Sequence, residues 1–114
     1  MVELEQPTDF RILEALHSYG RNVGPNIARI ADLEEDVVTD RLAVLSTAEL
    51  VAMIGPADES GLFEITERGR ISLRLREEYA TTSDFEALID RHAASNEANA
   101  ATAIVRGRRN RKDD

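Results

Sequence analysis

The chain contains no cysteine and no tryptophan, and its 114 residues include only three phenylalanines and two tyrosines. Without cysteine, disulfides, thiolate metal sites and direct thiol redox sensing are excluded. No apolar run approaches the ~20 residues of a membrane-spanning helix, and no signal-peptide pattern opens the chain. A cytoplasmic protein with no membrane contact is therefore expected. Also missing are a Gly-rich phosphate loop, a Ser/His/Asp grouping and any ligand set with metal spacing. The two histidines, His17 and His92, lie far apart, each on a predicted helix with an apolar stripe, and read as partly buried structural residues. An enzyme is not expected, and no obligatory cofactor is expected.

What is present is acid. Asp and Glu number 22 against 14 Lys and Arg, a net charge of −8, and of the bases only Lys112 is lysine. The tail from Arg106 to Asp114 carries five bases and two carboxylates, so residues 1–105 hold nine arginines against twenty carboxylates, or −11. One reading is an ordinary acidic protein kept monodisperse by its charge. The favoured reading is adaptation to molar salt. An acidic surface with little lysine and small apolar residues resembles the proteomes of halophilic archaea, and bound monovalent cations fit such a setting.

At this length one domain with an appended helix is expected. Pro7 and Thr8 supply a stop and an N-cap, after which Phe10, Ile12, Leu13 and Leu16 recur at helical spacing up to Gly20. "RNVG" reads as a loop. Pro25 suits the first turn of a short second helix, "PNIARIADL", and a third helix beginning near Glu34 packs Val38, Leu42 and Leu45 at i, i+4 and i+7. The period then changes. "LVAMIG" and "LFEIT", joined by the turn-rich "PADESG", predict a β-hairpin. Thr66 caps a fourth helix, "ERGRISLRLREEYA", in which Gly69 implies close packing, since glycine costs about 1 kcal/mol there against alanine. "SDFE" reads as a capping box, with Ser83 at the cap and Glu86 three residues later, opening a fifth helix. The basic tail is expected to be disordered.

The order is three helices, a hairpin and two helices. "VTDRLAVLSTAELV" resembles the stretch that ends the reading helix and enters the wing in many prokaryotic winged-helix regulators, through Val38, Arg41, Leu42, Leu45, Leu50 and Val51. Glu49 stands where that pattern has glycine, which leaves the turn into the first wing strand open to change. "FEITERGR", with Ile65, Thr66, Gly69 and Arg70, is similar to the strand-to-helix element after the wing. Together the motifs and the helices before them cover residues 8 to about 76. The chain most resembles small acidic winged-helix regulators of halophilic archaea, PadR-like or phage-repressor-like. The resemblance implies a mainly α fold with a small β-hairpin, a winged helix-turn-helix with a C-terminal dimerisation helix. Residues 1–80 would form the DNA-binding domain, 81–105 the dimerisation helix and 106–114 a basic tail.

The resemblance places Glu35, Asp36, Val37, Thr39, Asp40 and Arg41 on the face that enters the major groove. Arg41 can fork onto guanine or grip a phosphate, against a salt bridge to Asp40 or Glu34. Arg21, Asn26 and Arg29 around the second helix, and Arg68 and Arg70 after the wing, are candidates for backbone phosphates. The wing tip lacks the basic residue a wing lays into the minor groove. Phe85, Leu88, Ile89, His92, Asn96, Ala100 and Ile104 form a long, weakly apolar face, read as a homodimer contact against the alternative that this helix packs back on its own chain. The tail "RGRRNRK" is read as added phosphate contact or as a solubilising end.

Four carboxylates between Glu34 and Asp40 sit awkwardly on a helix meant for a polyanion. At molar salt the Debye length falls to about 3 Å, so carboxylate–phosphate repulsion is screened, as is the attraction that basic proteins exploit. The expectation is a nucleoid-associated, homodimeric regulator of transcription that binds double-stranded DNA in a salty cytoplasm. The alternative is a winged-helix module that docks a basic protein partner on its acidic third helix.

Overall fold

The structure is a computed structural model and describes residues 3–55 and 60–96. Within them the chain is mainly helical, with a small antiparallel sheet. The elements are α1 (Thr8–Tyr19), β1 (Asn22–Val23), α2 (Gly24–Ala31), α3 (Glu35–Thr47), β2 (Val51–Ile54), β3 (Leu62–Ile65) and α4 (Glu67–Arg74), then a 3₁₀ turn (Arg76–Glu78). A fifth helix, α5, covers 85–96. The segment 56–59 between the hairpin strands, expected as a wing tip, lies outside the described residues, as do Ala100, Ile104 and the basic tail.

The hairpin forms as the period change dictates, with Val51 opposite Ile65 and Ile54 opposite Leu62. Sequence reasoning missed the third strand. Asn22 and Val23, expected in a loop, pair with Phe63 and Leu62, giving the order β1-β3-β2. Two residues are too short a run for alternation to register, and only β3 as a template makes them a strand.

Val38, Leu42 and Leu45 are buried as their spacing requires, and join Ile12, Leu13 and Leu16 of α1 in one core. Phe85 and Ile89 belong to that same core. The ring of Phe85 meets Tyr79 edge-on with centroids 5.0 Å apart, and Tyr79 meets Phe10 at 6.0 Å. Such geometry adds about 0.5–1.5 kcal/mol per pair beyond area burial. The first turns of α5 therefore pack on their own chain, and Phe85 and Ile89 are corrected: neither has surface to offer a second copy.

Several local details depart from the expected ones. Helix α1 begins at Thr8 with Pro7 in the cap position, and no side chain caps it. At α5 the cap is Asp84, not Ser83, because the Ala87 amide donates to Asp84 Oδ1 at 3.1 Å. Helix α4 stops at Arg74 rather than near Ala80. His17 and His92 are both exposed, not partly buried.

Thr66 caps α4 as expected, accepting from the Gly69 amide at 3.0 Å. Its hydroxyl also donates to the Glu49 carbonyl at 2.6 Å, tying the hairpin's exit to its entrance. Gly69 is required there: a Cβ would run into the Leu50 carbonyl oxygen and stand 2.7 Å from Ile65 Cγ1. Glu49 takes φ +64°, the left-handed region glycine favours, so the turn into β2 keeps a glycine-like shape despite the substitution.

Two opposite effects on stability are expected in urea unfolding. Gly69→Ala should cost about 3 kcal/mol, the top of the usual range for overpacking, because backbone must move. Glu49→Gly should stabilise by about 0.5–1 kcal/mol, since the left-handed strain of about 1–2 kcal/mol exceeds the entropic cost of glycine.

Candidate nucleic-acid interface

Helix α3 has two unlike faces. Val38, Leu42 and Leu45 point into the core, while Glu35, Asp36, Val37, Thr39, Asp40, Ala43 and Val44 are exposed. Val37 and Val44, each 38% exposed and two turns apart, form an apolar stripe beside the carboxylates. Val44 follows Val37 by seven residues, so the helical period alone puts the two on one face.

Arg41 does not point outward with them. Its Nε donates to Asp9 Oδ1 at 2.9 Å and its Nη2 to Asp9 Oδ2 at 2.8 Å, a two-pronged contact with a carboxylate that has no exposed surface. Nη2 also reaches the Glu3 carbonyl at 3.3 Å, and Nη1 lies 3.6 Å from Glu5 Oε1. Hydrogen bonding to Asp9 raises the Arg41 pKa above its already high ordinary value, with smaller help from the charges of Asp9, Glu5 and Asp40, against an opposing effect of burial. The guanidinium is thus charged at any physiological pH. Asp9 is fully satisfied, because its Oδ2 also accepts from the Glu5 amide at 2.8 Å. Arg41 is accordingly corrected: it holds α3 to the start of α1, with Nε and Nη2 committed to Asp9 and the Glu3 carbonyl and only Nη1 making no hydrogen bond among the described residues. Its partner is neither Asp40 nor Glu34, the neighbours in sequence, but a residue 32 positions away.

The other candidate cations are mostly engaged too. Arg21 lies 3.9 Å from Glu64, Arg68 pairs with Asp90, and Arg70 donates to the Ile65 carbonyl at 3.4 Å. Asn26 donates to Asn22 Oδ1 at 2.8 Å. Arg29 is exposed on the last turn of α2 without a polar partner among the described residues. The exposed pairs are worth about 0–1 kcal/mol each and yield readily to a phosphate, whereas the Asp9 pair does not. Among the described residues no group of three or more His, Asp or Glu side chains could hold a metal ion, and no helix is long and apolar enough to cross a membrane.

The sequence matches no protein-family model and no curated protein.

Removing Arg41 should therefore read out as stability. Arg41→Ala leaves Asp9 charged and buried, and is expected to cost about 3–5 kcal/mol in denaturant unfolding. The double change Asp9→Leu/Arg41→Met should regain most of that loss. A cost for Arg41→Ala below about 1 kcal/mol would show that the pair does not hold α3.

Proposed function

We propose that this chain is a winged helix-turn-helix DNA-binding protein that regulates transcription as a homodimer in a high-salt cytoplasm. The observation that carries the reading is the construction of α3, held in the core on one side and open to solvent on the other. One side is fixed by Val38, Leu42 and Leu45 in the core and by Arg41 on Asp9. Glu35, Asp36, Val37, Thr39 and Asp40 stand out in solvent. The element order, with β1 completing a three-stranded sheet alongside β3 of the hairpin, supports the winged-helix assignment. A protruding helix of 13 residues suits the major groove.

With Arg41 withdrawn, base reading falls to other chemistry. Carboxylates of Asp36 and Asp40 accept from cytosine N4, and Val37 and the Thr39 methyl meet thymine methyls. Arg29, Asn26 and Arg21 supply phosphate contacts around α2. Screening to about 3 Å at molar salt makes four carboxylates beside phosphates tolerable, and cations held between them add to that tolerance. For dimerisation, the outward residues of α5, His92 and Asn96 with the edge of Leu88, remain after Phe85 and Ile89 are withdrawn. Two reading helices about 34 Å apart would then meet a two-fold site.

A second reading has a specific observation in its favour. With Arg41 turned inward, the outer face of α3 has no cation, only carboxylates beside the exposed Val37 and Val44. That is a surface for a basic protein partner with an apolar anchor.

Fluorescence anisotropy with double-stranded genomic fragments, titrated from about 0.1 M to above 2 M KCl, separates the two. DNA reading predicts binding that survives or strengthens toward molar salt, and loss of about fivefold or more in affinity for a footprinted site with Thr39→Ala or Val37→Ala, since losing the fit to one base pair costs about 1 kcal/mol or more. A folded protein that binds no DNA at any salt would sink the regulator reading and favour the docking one.

A further inference from the structure

An open cavity of about 430 Å³ lies between α1, the end of α2 and the 3₁₀ turn. Its floor and apolar wall are Pro7, Phe10, Ala15, Ile30 and Ala31, and Tyr19, 68% exposed, stands at its rim. The polar groups are few: Arg11, Glu14 and Ser18 from one stripe of α1, and Arg76 from the 3₁₀ turn. That composition, mostly apolar with a handful of convergent polar groups, is the usual character of a small-molecule site, and the volume falls within the usual range.

The charge pattern selects the ligand. Glu14 is engaged through both oxygens: Oε1 accepts from Ser18 Oγ at 3.3 Å, and Oε2 from Arg76 Nη1 at 3.2 Å. Glu14 and Arg76 therefore neutralise one another. Arg11, one turn before Glu14, is exposed and has no polar partner among the described residues. In a body carrying −11, the polar edge of this cavity is thus positive by one guanidinium, a planar fork matched to carboxylate or phosphate.

We propose that this cavity binds a small amphiphilic anion, a carboxylate or phosphate joined to an acyl chain or an aromatic ring. The apolar part seats against Phe10, Ile30 and Ala31 beside Tyr19, and the anionic end is forked by Arg11. The site adjoins the device that fixes α3. Pro7 and Phe10, which line it, flank the segment containing Asp9, and Asp9 holds Arg41. Occupancy is therefore felt at Arg41, whatever α3 contacts.

The test is an NMR titration of the ¹⁵N-labelled full-length protein with octanoate, octyl phosphate and the neutral octanamide. Saturable amide shifts are expected in 8–19, 30–31 and 76, accompanied by movement of the Arg41 side-chain Nε resonance with the same midpoint. Binding of either anion should weaken at least tenfold in Arg11→Ala, and octanamide should bind at least tenfold more weakly than octanoate, the loss that follows from one charge-assisted hydrogen bond. Arg11 is exposed, so the variant should keep the wild-type spectrum elsewhere. Preference for octyl phosphate over octanoate would assign a phosphate ligand, and the reverse a carboxylate. Absence of saturable shifts with all three probes, equal binding of octanamide, or indifference to Arg11→Ala would overturn the site. An unmoved Arg41 resonance at saturation would overturn its coupling to α3.

Discussion

Asp9 has no exposed surface, and a carboxylate there is tolerable only because Arg41 and the Glu5 amide meet it completely. An unpaired buried charge would cost several kcal/mol, comparable to much of a small domain's stability. The consequence is geometric. Three segments converge on one guanidinium: the chain at Glu3 and Glu5, the first turn of α1 and the middle of α3. The same amino-terminal segment is tied on its other side to Tyr79, where the Leu4 amide donates to the phenol oxygen at 2.9 Å and the phenol donates to the Leu4 carbonyl at 3.2 Å. Tyr79 in turn bridges Phe10 and Phe85. Residues before α1 thus connect α3 to the start of α5, in addition to the core that both share.

How much of this is visible in the sequence depends on the range of the interaction concerned. Spacing of Val38, Leu42 and Leu45 fixes the buried face of α3, because a 3.6-residue period is a property of the segment alone. Gly69 and Thr66 are equally legible, since a cap and a close approach leave local signatures. Strand β1 is not legible, because it exists through pairing with Leu62 and Phe63 some forty positions on. Arg41 escapes for the same reason. Its motif position is compatible with base contact, and the competing local partners are plausible, but the carboxylate that takes it is on another helix. Asp9 itself gives one faint signal: an acid set among Phe10, Ile12 and Leu13 at a position that the helical period turns toward the core. The α5 face divides likewise. Phe85 and Ile89 satisfy the apolar pattern equally well as dimer contact or core, and only the tertiary fold decides for core.

Salt adds a constraint that bears on which arginines can act. Surface pairs such as Arg21–Glu64 and Arg76–Glu14 stand in solvent, where a Debye length of about 3 Å at 1 M leaves little attraction. The Asp9–Arg41 pair is shielded from that screening, with the Arg41 side chain 15% exposed and Asp9 at 0%. In a concentrated electrolyte the interior pair therefore keeps its strength while the exterior ones loosen. The fold then depends on the withdrawn arginine, and the exposed ones become available to other anions. Turning Arg41 inward removes a cation from the outer face of α3, but it secures the helix that presents that face, and does so at high ionic strength as well as low. Whatever meets the acidic outer face of α3, its carboxylates and methyl groups keep fixed relative positions only while the helix is held in place, which is the work of Asp9.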